Sequence, residues 1–197
     1  VRQYTVVRQL MAERDRLLQT AVRQFPARSR RGALGVPMAL SLHDHLPFWG
    51  TLFNALGYTP VYSGKTRRSQ LEAGILHSPG DFCLPMKVLF GHVHSLIEAG
   101  IGRIFIPHLR MLVPQGERIP RYTCPYTQAA AYVVRENLDI RAEILTLDYP
   151  LTGEHGHWLA ETGARLGIDR EEMEEALQEA LADQKRLTDG CLTAGAR

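Results

Sequence analysis

Residues 81–109 read DFCLPMKVLFGHVHSLIEAGIGRIFIPHL and join a cysteine, a helix and a strand in one continuous unit. Pro85 suits the first turn of a helix, where its missing N–H would have had no partner. Met86, Leu89, Phe90, Val93, Leu96 and Ile97 recur at three- and four-residue spacing, which makes one face of that helix apolar. Gly100 closes it. Ile104, Phe105 and Ile106 then form a short apolar run ending at Pro107, the pattern of a strand covered on both faces. Cys83 stands just ahead of the helix, near its positive dipole end, a position that favours the thiolate form that binds metal or attacks electrophiles.

The same unit recurs along the chain. GALGVPMAL (residues 32–40) reads as a first strand, followed by a helix through Trp49, Leu52, Phe53 and Leu56 that Gly57 caps. Residues 58–62 supply a second strand, SGKT a polar turn, and residues 67–74 a helix, before the loop HSPGDF delivers Cys83. A long stretch from Pro107 to Thr123 lacks apolar periodicity. It reads as a functional loop, mobile or pinned by a partner. Cys124 then opens another helix, again with proline behind it, and residues 140–147 make a fourth strand. An amphipathic helix over residues 6–25 precedes all this, and helices over 155–166 and 170–187 follow, the last with Asp169 as its N-cap and Cys191 in the tail beyond it. Strand alternating with helix four times predicts a parallel sheet with helices on both faces. The units are an N-terminal helix and basic linker (1–31), an α/β lobe (32–150) and a C-terminal helical segment (151–197).

Ligands of such sheets bind beyond the carboxyl ends of the strands. Ser41, His43, Ser63, Lys65 and His108 are the candidate ligand-edge residues there, and Cys83 and Cys124 can reach the same edge. Two cysteines that each open a helix suit a shared metal or iron–sulfur site, though without a Cys-x-x-Cys pair the spacing also fits buried, unreactive thiols. His92 and His94 lie mid-helix, where two residues turn side chains about 200° apart, so they do not share a metal. His43/His45 and His155/His157 read as surface or supporting histidines. Neither a complete phosphate loop nor a dinucleotide fingerprint occurs, and Ser63-Gly64-Lys65-Thr66 imitates only the tail of the former, a strand-end turn that can touch an anion.

Composition narrows the classes. Among 197 residues, 45% are hydrophobic, enough for a real core, and 23 basic against 21 acidic residues leave a net charge of +2. No global field draws such a chain to nucleic acid or anionic lipid. No apolar run approaches the roughly 20 residues that cross a bilayer, and no charged-then-apolar leader opens the chain, so the expected location is the cytoplasm. Three cysteines far apart fit a reducing compartment.

The ordered set GVPMAL, LPFWGTLFNALGY, DFCLPMKVLFGHVHSLIEAGIGRIFIPHL and TCPYTQAAAYVV, covering about residues 32–147, resembles the 2-hydroxyacyl-CoA dehydratase component and the related region fused to or encoded beside its activase. The resemblance implies flavodoxin-like parallel α/β lobes holding a [4Fe–4S] cluster, with Cys83 and Cys124 as cluster ligands. It implies further lobes or a second subunit, an ATP-hydrolysing activase that injects a low-potential electron, an acyl-CoA substrate and lyase chemistry. The third family cysteine is not matched, so the cluster is expected to be incomplete or absent in this chain alone. Where relatives read Pro-Arg-Ala-Leu-Asn, this chain reads Pro37-Met38-Ala39-Leu40-Ser41. A cofactor-free binding module of the same fold, or a zinc site using Cys83, Cys124 and a loop histidine such as His108, are the alternatives.

Overall fold

The computed structural model describes residues 2–22, 30–112, 121–138, 141–149 and 155–196. In chain order the elements are α1 (Arg2–Val22), β1 (Ala33–Val36), a 3-10 helix (Leu40–His45), α2 (Leu46–Ala55), β2 (Thr59–Tyr62), α3 (Arg68–His77), α4 (Leu84–Glu98), β3 (Arg103–Phe105), β4 (Met111–Leu112), β5 (Arg121–Tyr122), α5 (Pro125–Asn137), β6 (Glu143–Leu145), α6 (Gly156–Leu166) and α7 (Arg170–Gly195).

Four strands form one parallel sheet in the order β2-β1-β3-β6. Ala33 to Val36 lie beside Thr59 to Tyr62, Gly35 beside Ile104, and Arg103 to Phe105 beside Glu143 to Leu145. The connection from β1 runs outward through α2 to β2, and the chain then crosses back through α3 and α4 to β3. This is the flavodoxin-like, doubly wound order, with the two winding directions parting between β1 and β3.

Side chains alternate across the sheet as the strand period demands. Leu34, Val36, Phe105 and Leu145 face a layer built from α1, α2, α6 and α7, where Trp49 and Phe53 pack against Met173 and Leu177. Ile104 and Ile106 face the other layer, made of Met86, Phe90 and Val93 of α4 and Ala130, Ala131 and Val134 of α5. Trp49 lies 4.5 Å from Phe105 and Phe53 lies 4.7 Å from it, ring centre to ring centre, so the first layer meets the sheet through tilted and edge-on aromatics. Asp169 caps α7 by accepting from the Glu172 N–H at 2.9 Å. Arg30 and Arg31 both pair with Glu172, which ties the end of the basic segment to α7; its residues 23–29 lie outside the described part.

Two helices stop by the same device. After α4, the Gly100 N–H bonds the Ile97 carbonyl at 2.9 Å and the Ile101 N–H the Leu96 carbonyl at 3.1 Å, with Gly100 at φ 77°. Gly57, at φ 83°, does the same after α2. Each turn reverses the chain directly into the next strand, and only glycine adopts that backbone without cost.

Helix α4 is held more closely than ordinary side-chain packing allows. A Cβ on Gly74 of α3 would lie 1.9 Å from the Lys87 carbonyl oxygen, and one on Gly91 of α4 would lie 1.8 Å from the Gln70 carbonyl oxygen. The two helices therefore touch backbone to backbone. Next to Gly91, His92 is fully buried, its Nδ1 2.7 Å from Ser63 Oγ and its Nε2 2.9 Å from Thr66 Oγ1. The Met38 N–H donates to Ser63 Oγ at 2.8 Å, so the serine proton is free to point at Nδ1, leaving Nε2–H to donate to Thr66. Gln70 completes the cluster, donating to the Ser63 carbonyl at 3.0 Å and accepting from the Arg67 N–H at 2.9 Å.

Several elements differ from the sequence expectation. The first strand ends at Val36 rather than Leu40, because Pro37 and the 3-10 turn take over. The last strand occupies Glu143–Leu145 only, with residues 139–140 outside the described part. Met111–Leu112 and Arg121–Tyr122 form an antiparallel ladder within the expected loop, and residues 113–120 between them lie outside the described part. Helix α7 continues to Gly195, so Cys191 is on a helix and not in a tail. The reason is tertiary: Gly190 gives Leu17 of α1 room to pack at 3.4 Å from where a Cβ would stand. No helix among the described residues is long and apolar enough to cross a membrane.

Gly91→Ala is expected to lower unfolding free energy by about 3 kcal/mol or more, because the added methyl meets backbone that cannot step aside; chemical denaturation measures it, and a change below about 1 kcal/mol contradicts the contact. Burial, with His43 nearby, lowers the His92 pKa from 6.5 to about 4. The native state then binds this proton more weakly than the unfolded chain, so stability is complete above about pH 6.5 and falls as pH drops towards 4. Denaturation at pH 7 and pH 5 should show a loss on the order of 1–2 kcal/mol in the wild type and a smaller one in His92→Gln.

Candidate functional site

Cys83 and Cys124 are the N-cap residues of α4 and α5, the two neighbouring helices on one face of the sheet. In each case a proline in the first turn removes an N–H that has no helical partner, and the cysteine carbonyl accepts the first intrahelical bonds: Met86 and Lys87 to Cys83 at 3.0 and 3.2 Å, Gln128 to Cys124 at 3.1 Å. Neither thiol caps its own helix. Both are free and exposed.

Aromatic contact brings the two helix starts together. Phe82, immediately before Cys83, meets Tyr126, two residues after Cys124, edge to face at 5.2 Å, and Phe82 also stacks on Phe90 at 6.3 Å. The β4–β5 ladder is fastened beside them. Thr123 donates its N–H to the Arg110 carbonyl at 2.9 Å and its hydroxyl to the Leu109 carbonyl, and its own carbonyl accepts from Gln128 at 2.8 Å. The described ends of the expected loop are thus pinned by the chain itself. Around the pair, Leu84 is 58% exposed, Tyr122 78% and Tyr126 44%, an apolar rim at the carboxyl edge of the sheet.

At the crevice between β1 and β3, Ala39, Leu40, Leu89, Ile106, Pro107 and Thr127 line a small apolar slot. Leu40 takes φ 53°, a left-handed backbone rare for a branched side chain. This is the place where open α/β sheets bind ligands.

The ligand-edge candidates divide. Ser63 is committed to Met38 and His92. Lys65 reaches Asp15 of α1 at 3.5 Å on the surface, so the SGKT turn is organised from beneath by His92 rather than as a phosphate cradle. His43 Nδ1 lies 3.4 Å from Arg14, which also pairs with Asp44, and burial together with Arg14 lowers its pKa. His45 is lowered by burial too and packs on Tyr149 at 4.4 Å. Ser41 belongs to the 3-10 turn, its side chain lying outside the described part. His108 turns from the cysteines to Asp148, Nδ1 to Oδ1 2.6 Å, with Tyr132 edge-on at 5.9 Å. Among the described residues no three histidine, cysteine or acidic side chains converge to hold a metal, so the set of Cys83, Cys124 and His108 is not assembled.

Sequence reasoning placed His92 mid-helix and set it aside as a metal ligand without its hydroxyl partners, and it passed over the Leu40 backbone and the Phe82–Tyr126 contact. Only the third carried a usable signal: an aromatic beside each helix-opening cysteine.

Residues 33–197 match the family described as the CoA enzyme activase uncharacterised domain, DUF2229. No curated protein and no solved structure matches the chain. The matched span runs from the first residue of β1 to beyond the end of α7 and takes in both helix-capping cysteines. The chain therefore belongs to the CoA enzyme activase uncharacterised domain family.

Proposed function

We propose that this chain is a lobe of an activase-related iron–sulfur protein and that Cys83 and Cys124 supply two thiolate ligands of a [4Fe–4S] cluster. The observation that carries the reading is the pair of N-cap cysteines on adjacent helices, joined by Phe82 and Tyr126. The residues fit the group. Thiolates are soft ligands suited to iron–sulfur clusters, and unpaired first-turn N–H groups stabilise the charge they carry. A cluster held there supplies one-electron chemistry at a potential set by its surroundings. The chain's own part is to present two ligands at fixed spacing, keep solvent from one side with Phe82, Phe90 and Tyr126, and offer the exposed Leu84 and Tyr122 to whatever closes the other side.

The remaining ligands come from a further lobe or a second subunit docked on that rim. An ATP-hydrolysing activase delivers the electron, and dehydration of an acyl-CoA thioester, a lyase reaction of the cytoplasm, is the chemistry served. The rim alone also suits a cofactor-free assembly module, which is the reading left if the cluster fails.

Two experiments separate these. Dibromobimane, which fluoresces strongly once both arms have alkylated, should cross-link the native wild type and lose that signal in Cys83→Ser and in Cys124→Ser; equal labelling of all three would mean that the thiols do not meet. Anaerobic reconstitution with iron and sulfide should leave the chain alone poorly loaded. With its cysteine-bearing partner lobe present, the wild type should bind more iron and develop thiolate-to-iron absorption that both serine variants lack. Iron content no higher in wild type than in the variants, with the partner present, removes the cluster reading.

A further inference from the structure

A second cleft lies at the same edge of the sheet, beyond the outer strand, and owes nothing to the cysteine pair. His108 follows β3, Thr146 and Asp148 follow β6, Tyr132 projects from α5, and Trp158 and Arg165 line it from α6. Its volume of about 160 Å³ is close to that of a cavity that holds benzene, so it is too small for a nucleotide.

The chemistry of its wall is asymmetric. His108 and Asp148 are joined twice, by the 2.6 Å side-chain bond and by a parallel backbone bridge in which the His108 N–H bonds the Leu147 carbonyl at 2.9 Å. Trp158 holds the Asp148 carbonyl through its indole N–H at 2.7 Å. With Nδ1–H given to the carboxylate, His108 has Nε2 left as an acceptor. Glu161 pairs with His157 on the outer side at 3.6 Å. Arg165 makes no ion pair or hydrogen bond among the described residues. Thr146 is only 8% exposed, and its hydroxyl has no partner among them either. A buried hydroxyl without a partner costs about 1–3 kcal/mol, a cost that a bound polar group would offset.

We infer that this cleft binds a small carboxylate that also carries an O–H or N–H donor. The planar guanidinium of Arg165 matches the carboxylate, Thr146 adds a hydroxyl donor, and the ligand's own donor goes to His108 Nε2. A bare anion would satisfy Arg165 and leave His108 unused, and it would face Asp148 and Glu161 with nothing to donate.

The chain has two tryptophans, Trp49 in the core and Trp158 at the cleft, so two indole N–H resonances report the test and Trp158→Phe assigns them. Titration of the full chain with malate should shift the Trp158 resonance in a saturable way and leave Trp49 unmoved. Succinate, which lacks the hydroxyl, should bind several-fold more weakly, and inorganic phosphate more weakly still. Arg165→Ala, on an exposed helix face, should fold normally and weaken malate roughly tenfold, the scale of one charge-assisted contact. Thr146→Val should raise the unfolding midpoint while weakening malate, a split that a purely structural hydroxyl would not produce. The inference is overturned if neither dicarboxylate gives a saturable shift, if phosphate binds more tightly than malate, or if Arg165→Ala and Thr146→Val bind malate as the wild type does. A cluster that fails to form leaves these results untouched, and the reverse also holds.

Discussion

The backbone contact between α3 and α4 is the constraint on which the placement of the cysteine edge depends. Glycine at positions 74 and 91 lets two helices meet where any other residue would hold them apart, and α4 is thereby pressed between α3, the sheet and α5. A helix gripped along its length cannot slide or rotate, so its N-cap, Cys83, is positioned by contacts at Lys87 and Gly91, one to two turns away. The buried His92 cluster works in the same direction. Its imidazole bonds Ser63, just past β2, and Thr66, in the turn before α3, and Ser63 in turn accepts from Met38 on the chain leaving β1; a polar group so deeply placed keeps its bonds because losing them would leave it unsatisfied.

The doubly wound order divides the labour between the two sheet faces. One face is covered by α2 and α7 with dense aromatic packing around Trp49, and it presents no cysteine from the lobe. The other carries α4 and α5, whose starts both lie at the carboxyl edge because each helix runs back to the beginning of the next parallel strand, α4 to β3 and α5 to β6. Parallel topology alone thus brings Cys83 and Cys124 to one side, although 41 residues of sequence separate them. Phe82 and Tyr126 then convert that general proximity into a contact. The His108–Asp148 pair arises from the same logic one strand further out, since the two residues continue adjacent parallel strands.

Much of this was legible before any coordinates. Four apolar runs separated by helical periodicity imply the parallel sheet, and Gly57 and Gly100 mark helix ends where the structure has them. What was hidden was hidden for physical reasons. His92 sits at an apolar-face position of α4, and nothing local tells whether the group opposite is a hydroxyl or water; the answer lies in Ser63 and Thr66, 29 and 26 residues upstream. The β4–β5 ladder comprises two residues on each side, too few to display a period of two. Helix α7 outruns its own apolar pattern because α1 covers its last turns. Both cysteines could be read as helix openers from the proline and apolar spacing behind them, whereas the adjacency of the two helices and the Phe82–Tyr126 contact between their starts come from the structure.

Cysteine is an unusual choice for a helix cap. Serine, threonine or aspartate in its place would accept a first-turn N–H, a bond worth about 1 kcal/mol, and the chain forgoes that at both α4 and α5 while using it at Asp169. The two helix starts are therefore the least finished parts of an otherwise closely held layer. Any group that binds the two thiols in the folded layer and not in the unfolded chain adds its binding energy to the stability of that layer. Thermal resistance and thiol occupancy become one coupled quantity, and a melting curve taken before and after loading would read the state of the pair without following any reaction.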